Sequence, residues 1–576
     1  MSWKLKEKLQ KLLAKEQGTY IFSAGSRSRF ALVYPNSYFV GMSNLGMHII
    51  YEQLNKRKDT ACERFFLPER TEEKEYIRTK TTIMSMETQT PLYQFPLIGF
   101  AVSFEMDYFN VLKILDMGKV ELLAQKRQER DPIVIAGGPC STFNPEPLSL
   151  FIDAFVVGEG EETMLAFLDA YYKAVGENKS RIEILKCLAQ VKGIYVPMFY
   201  EHVYREDGVL QQINCLENMP ISVKRQWVHD LDAYDAHTVI VTDDTEFNLY
   251  LIEIARGCGR HCRFCMAGYC FRKPRNRSLE KIKEMLMEAK KYNKRVGLMG
   301  AAISDYPEIN QLCHDILAED LPMSVASFRA DSVTRELVDS LANSGLKTLT
   351  LAPEAGSEKL RAVINKGIEE KDLFNAMDYG IAAGIRNFRL YIMIGLPYEE
   401  DEDIEEIIVM ANRLKDYMEN KGNKGILTLS INPFIPKPFT PFQWLPMAEM
   451  KTVESRLKYI KLALAKRKNI DVIAESSKEA YIQGVLARGD RKISKVLYTA
   501  HLLGGSKAFK RAIKQENIDM EFYLYRRREK DEKFPWELLD MGVKREYLYH
   551  ELILAREKKP TVKCFDGCKR CGVCKD

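Results

Sequence analysis

Three cysteines, Cys258, Cys262 and Cys265, stand in the run Gly-Cys-Gly-Arg-His-Cys-Arg-Phe-Cys at 257–265. Three thiolates on one loop can hold an iron–sulfur cluster with one iron left open to bind a substrate. A structural zinc site is the plainer alternative, but such sites close with four ligands, and the next cysteine, Cys270, is more a bystander than a fourth ligand. A second group, Cys564, Cys568, Cys571 and Cys574, ends the chain with gaps of three, two and two residues. Four thiolates this dense in a segment poor in apolar residues need metal to fold. An iron–sulfur cluster or zinc would serve. The other scattered cysteines, Cys62, Cys140, Cys187, Cys215 and Cys313, read as ordinary buried residues.

The elements that must position these groups follow from pattern. Residues 249–255 are apolar and β-prone, which places the first cysteines on a loop leaving a strand. Upstream, strands are expected at 30–35, 98–103, 133–136 and 154–157 and a helix at 45–56, each strand ending in a polar or Gly-rich turn before helical sequence. That alternation predicts an α/β fold with a parallel, doubly wound sheet and ligands at the carboxyl ends of its strands. The expected divisions are an N-terminal helix at 1–20, a Rossmann-like domain at 21–205, a turn-rich linker at 206–245, a partial (β/α) TIM-type barrel at 246–445, a charged helical region at 446–560 and the cysteine tail at 561–576. Basic stretches at 272–277, 487–492, 507–511 and 525–528 could track a phosphate backbone. Solvated helix faces explain them better.

At 576 residues the chain needs two or three cores. Lys plus Arg number 85 against 80 for Asp plus Glu, so net charge gives no argument for a polyanionic partner. No apolar run reaches the roughly 18–20 residues that cross a bilayer, and the amino end is charged where a signal peptide is apolar. A cytoplasmic protein without membrane partners is expected, and two iron clusters would imply an oxygen-poor, reducing cell.

The cysteine run, with Phe264 before its last member, resembles the radical S-adenosylmethionine (SAM) superfamily. The resemblance continues through the small-residue turn Gly300-Ala301-Ala302, through Ser327 and Arg329 after the next strand, and to Glu354 and Gly395 at the ends of later strands. It implies that these residues and Phe264 contact SAM. The first domain resembles the cobalamin-binding domain that precedes the barrel in one branch of that superfamily, on Gly41, Ser43, Gly46, Ser103, Gly137, Gly138 and Gly158. These would line cobalamin, where glycines let backbone approach a bulky ligand. The histidine that supplies a lower cobalt ligand in many cobalamin proteins is replaced here by Ser43. His48 is off register and reads as half-buried.

The resemblance implies an enzyme that reductively cleaves SAM at a [4Fe–4S] cluster to a 5'-deoxyadenosyl radical, with cobalamin-dependent methylation of an unreactive carbon as the leading reaction. Rearrangement, cyclisation or sulfur insertion into RNA is the alternative, and a cobalamin or redox sensor the alternative of another class. The tail implies a second [4Fe–4S] cluster, and a small reductant such as flavodoxin or ferredoxin the electron donor. No side chain stands out as a general base, and the substrate class, whether small molecule, peptide or RNA, is not written in these motifs.

Overall fold

The computed structural model describes residues 2–23, 25–216 and 218–574 and divides into two compact units. The first comprises Met1–Leu249, Leu486–Met520 and Asp531–Gly542. Its sheet contains β1 (Ser28–Tyr34), β2 (Thr60–Phe66), β3 (Leu97–Ala101), β4 (Ile133–Gly137), β5 (Ala154–Val156) and β6 (Ile194–Tyr195), in the order β2-β1-β3-β4-β5-β6. All neighbours are parallel except β5 and β6. The chain reverses its direction of winding between β1 and β3, the switch point at which doubly wound sheets bind ligands. The helix Leu45–Lys56 falls where the pattern places it, and the Asn44 side chain caps it by accepting from Met47 N–H at 3.0 Å.

Strand β2 has no counterpart in the sequence reading, because Glu63 and Arg64 hide it. It is nonetheless buried throughout. Arg64 is closed between two carboxylates, Glu16 at 2.6 Å and Glu87 at 2.7 Å, so a charged residue can occupy a core strand. The segment expected as a linker is also built in. An antiparallel pair, β7 (Tyr200–Tyr204) and β8 (Leu210–Cys215), leads to β9 (Val223–Lys224), which pairs with Leu539–Asp540.

The second unit comprises Tyr250–Val485, Glu521–Lys530 and Val543–Asp576. It begins with β10 (Tyr250–Glu253). The short antiparallel pair β11 (Ala255–Arg256) and β12 (Arg275–Asn276) then brackets the cysteine loop. Next come β13 (Val296–Met299), β14 (Met323–Ser324), β15 (Thr348–Glu354), β16 (Asn387–Ile394), β17 (Leu427–Pro433) and β18 (Ile470–Ala474). These form parallel sheets β10-β13-β14 and β15-β16-β17-β18, and the bridge between Phe328 and Leu351 connects them. Helices intervene, giving the partial (β/α) barrel pattern.

Strand β18 lies beyond the expected barrel limit at 445. It is an edge strand whose residues alternate between buried and exposed positions, and its polar side reads as surface sequence. The region expected to form one helical block at 446–560 is divided between the units. Phe509 packs edge-on against Phe109 in the first, with ring centres 5.6 Å apart, and the helix Arg545–Arg556 belongs to the second.

Candidate active site

The first cysteine group occupies an excursion whose ends are stapled by β11 and β12. Gly257 has φ +81°, and a Cβ there would lie 2.1 Å from the Phe271 carbonyl oxygen, so only glycine lets the loop close. Within the loop, Cys265 N–H donates to the Cys262 carbonyl at 3.1 Å and Gly268 N–H to the Cys265 carbonyl at 3.2 Å, winding the ligands into consecutive turns. Burial, aided by the neighbouring Cys262 and Cys258 sulfurs, pushes the Cys265 thiol up to about 12. Such thiols are inert unless a metal takes them as thiolates.

Arg329, on the segment after β14, donates to Cys262 Sγ at 3.5 Å while its Nε holds Asp331 at 3.0 Å. Arg260 holds Asp331 and Asp305, each at 2.7 Å. Among the described residues only Glu52, Asp235 and His237 bring three metal-ligating atoms within 4.8 Å of one another.

The residues expected to contact SAM lie at or just after the carboxyl ends of the parallel strands. Gly300 follows β13, and a Cβ there would lie 3.2 Å from the Ala255 carbonyl oxygen. Ala301 and Ala302 continue that turn. Ser327 and Arg329 follow β14. Glu354 ends β15 where its register against β16 shifts, in a left-handed conformation at φ +67°, and accepts from Lys366 Nζ at 3.0 Å. Gly395, φ +76° after β16, donates to Glu399 at 2.7 Å. Burial raises the Glu399 carboxyl to about 7 although Arg456 lies 2.8 Å away.

Lys366 went unnoticed in the sequence. Its ammonium lies 5.9 Å from the centre of the Phe264 ring and bonds Glu354, and its carbonyl accepts from Arg329, so one residue ties three expected contacts together. Lysine in the turn Asn365-Lys366-Gly367 reads as surface, and only its burial distinguishes it.

The basic stretch 272–277, expected to be solvated, is not: Arg272, Arg275 and Arg277 are all buried. Arg277 bonds Glu253 at 2.8 Å. Arg263, inside the cysteine motif, is also buried. It bonds Glu551 at 3.1 Å, the Val363 carbonyl at 2.9 Å and the Lys559 carbonyl at 2.6 Å, anchoring the last helix to the loop. Likewise Arg488 and Arg528, from basic stretches expected on solvated faces, are buried.

The C-terminal cysteines lie against the same loop on a segment without regular secondary structure. Cys564 N–H donates to the Gly259 carbonyl at 2.8 Å. His261 Nε2 lies 3.2 Å from Cys564 Sγ, while its Nδ1 lies 2.6 Å from the Tyr547 hydroxyl and 2.9 Å from Arg272. The Arg272 guanidinium also interacts with the Cys571 sulfur. Arg570 Nε donates to Cys568 Sγ at 3.2 Å and, against the effect of burial, holds that thiol below its usual value.

In the first unit, the residues expected to line cobalamin gather along the carboxyl edge of the sheet. Asn44 Nδ2 donates to Ser103 Oγ at 3.4 Å and joins the loops after β1 and β3 at the switch point. Ser43 Oγ accepts from Glu246 N–H at 2.9 Å. Three of the glycines answer to the chain's own packing. A Cβ would lie 2.5 Å from the Phe66 ring at Gly41, 2.8 Å from the Val102 carbonyl oxygen at Gly138 and 2.1 Å from that of Gln226 at Gly158. Gly46 and Gly137 meet nothing closer than 3.3 and 3.6 Å. Phe39 and Phe104, on the loops after β1 and β3, are 47% and 45% exposed. His48 is fully buried, not half-buried: Nε2 lies 3.0 Å from the Met42 carbonyl and Nδ1 accepts from Ile240 N–H at 3.4 Å, so neither nitrogen is available to a metal.

A doubly wound sheet followed by a partial barrel with a three-cysteine loop at its first strand defines an α/β protein built for cluster chemistry. Comparison with known proteins makes this specific. Residues 46–197 match the family described as radical SAM proteins, N-terminal, and residues 252–411 match the radical SAM superfamily. The uncharacterized protein MJ0966 of Methanocaldococcus jannaschii is 32% identical over 472 residues, 81% of this chain and 90% of that protein. The chain belongs to the radical SAM superfamily. The putative methylthiotransferase MJ0865 of the same organism is 23% identical over 51% of this chain and 61% of its own length. Among solved structures, the cobalamin-dependent S-adenosylmethionine radical enzyme OxsB, with aqua-cobalamin and S-adenosylmethionine bound, aligns with TM-score 0.47 at 14% identity, covering 85% of this chain and 71% of that one. Membership implies a [4Fe–4S] cluster and SAM, and the three-thiol loop, with Cys262 buried and Cys258 and Cys265 partly exposed, and the strand-end turns of the second unit fit both. No helix is long and apolar enough to cross a membrane among the described residues.

Proposed function

We propose that this radical SAM enzyme methylates an unreactive carbon with the help of cobalamin held by the first unit. When bound, the cluster and SAM supply a carbon-centred radical able to remove a substrate hydrogen, and a methylated cobalamin supplies the group transferred. The chain's own part is to hold and orient. Cys258, Cys262 and Cys265 hold the cluster, with Arg329 beside Cys262. Glu354, positioned by Lys366, offers a carboxylate to the ribose hydroxyls or the amino group of SAM. The turns at Gly300 and Gly395 carry no side chain at those positions, which lets a ligand approach the backbone closely.

The observation that carries the cobalamin reading is the switch point of the first sheet, where the Asn44–Ser103 pair lies between loops that expose Phe39 and Phe104. Polar groups joined across that crevice and flanked by exposed aromatic rings suit a large, flat, amphipathic ligand. With both ring nitrogens committed to backbone, His48 would not serve as a ligand to cobalamin held there.

Anaerobic reconstitution with iron, sulfide and hydroxocobalamin, followed by corrinoid counting and assay of 5'-deoxyadenosine, tests the proposal. The wild type should bind about one corrinoid and cleave SAM. The Cys258→Ala, Cys262→Ala, Cys265→Ala variant should lose about four irons and all cleavage yet keep the corrinoid. Cleavage without corrinoid binding would replace methylation by a reaction of the kind named for MJ0865 or by a rearrangement.

A further inference from the structure

We propose that Cys564, Cys568, Cys571 and Cys574 hold a second iron–sulfur cluster that relays electrons into the Cys258–Cys262–Cys265 centre, with His261 as the bridge between them. The proposal rests on the reading of that first centre as the SAM-cleaving cluster.

The sulfurs are already provided for as anions. Cys564 faces His261 Nε2 at 3.2 Å, Cys568 accepts from Arg570 at 3.2 Å, and Cys571 interacts with the Arg272 guanidinium. A neutral thiol is a weak acceptor and does little for a guanidinium taken out of water. Arg272 is buried beside this group, with its guanidinium 2.9 Å from His261 Nδ1. Metal-bound thiolates are strong acceptors for such cations, and hydrogen bonds to ligand sulfur are a main lever on a cluster's potential.

The two centres share a wall. Gly259 lies between Cys258 and Cys262, and its carbonyl accepts from Cys564 N–H at 2.8 Å. A Cβ on Gly259 would lie 3.2 Å from that of Cys564, so the contact is backbone against backbone. His261 immediately precedes Cys262 and sits in the left-handed region at φ +59°, a conformation uncommon for a non-glycine residue. It turns the imidazole onto Cys564 while the next residue serves the first centre. Tyr547 and Arg272 fix the other ring nitrogen.

The tail also faces outward. Val562 and Phe565 are 65% and 61% exposed, and Lys563 and Lys569 beside them are exposed. An apolar patch among cations suits an acidic one-electron donor protein. The donor is oxidised by one electron and reduces the tail cluster by one. The same electron passes to the first cluster, returning the tail cluster to its oxidised state, and is spent breaking the sulfonium carbon–sulfur bond of SAM.

The test uses the full chain, reconstituted anaerobically. Iron and zinc are counted, and the dithionite-reduced protein is examined by electron paramagnetic resonance. About eight irons, no zinc, and a spectrum broadened by coupling between two reduced clusters are expected. About four irons with one zinc, or eight irons with two independent signals, would overturn the relay. These wild-type measurements stand whether or not any variant folds. Reduction by a flavodoxin-type donor, followed by stopped-flow bleaching, should be at least tenfold slower in His261→Ala at unchanged iron content, and an unchanged rate removes His261 from the path. Iron that survives the first-centre triple substitution unchanged would instead sink the reading of the first centre.

Discussion

The two units bury arginine for different ends. In the first, four buried or half-buried guanidinium groups are closed against carboxylates. Arg64 lies between Glu16 and Glu87, Arg127 and Arg181 share Asp153 at 2.7 and 2.8 Å, and Arg491 bonds Glu146 at 2.6 Å. In the second, three arginines are turned toward sulfur: Arg329 to Cys262, Arg272 to Cys571 and Arg570 to Cys568. A carboxylate is a counter-charge the chain always carries, whereas a thiolate at neutral pH is one that metal creates. The first kind of site is complete when the chain folds. The second is complete only when loaded.

The comparison breaks most visibly at Arg64. Arg64→Met leaves Glu16 and Glu87 buried without a cation and should cost about 3–5 kcal/mol in the denaturant transition of the first unit, equally in iron-free and iron-loaded protein. The loss should shrink as pH falls, because burial raises the orphaned carboxyls and they take up protons. Arg272→Met should behave oppositely. In iron-free protein it removes a guanidinium that stands beside thiols, so stability should change little. In loaded protein it removes a charged hydrogen bond, costing about 1.5–3 kcal/mol, with faster iron loss to a chelator. Equal effects of Arg272→Met with and without iron would erase the distinction between the units.

What was legible in the sequence follows the same division. The order of strands β1, β3, β4 and β5, the helix Leu45–Lys56 and the cysteine loop could all be read, because apolar periodicity and thiol spacing are local signals. Strand β2 could not, since Glu63 and Arg64 look like surface until Glu16 and Glu87 arrive from elsewhere in the chain. Arg272, Arg488 and Arg528 read as solvated for the same reason: burial of a charge depends on partners the local pattern does not contain. Glycine carries a second, equally local meaning. Gly41, Gly138 and Gly158 could be found by their type, but a close approach by Phe66, Val102 or Gln226 leaves the same mark as a close approach by a ligand.

A pH-dependent effect comes from comparing two buried histidines. His261 faces sulfur, whereas His48 faces only backbone, through the Met42 carbonyl and Ile240 N–H. Burial, opposed by the Met42 carbonyl and aided by the charge of Arg64, lowers the His48 imidazole to about 4. The unfolded chain binds a proton below about pH 6.5, which the folded one refuses until about pH 4. Between those values the unfolded state holds more protons, so stability rises with pH across this window and is lost as pH falls, by about 3 kcal/mol in total. His48→Gln removes the titrating group and should flatten the acid limb of the first unit's stability between pH 6.5 and 4, with little change at pH 8 and none in iron content. An acid limb that persists in His48→Gln would move the proton uptake to another buried group. Asp107, which burial raises to about 6, is not that group, because a carboxyl that gains protons in the folded state stabilises it as pH falls.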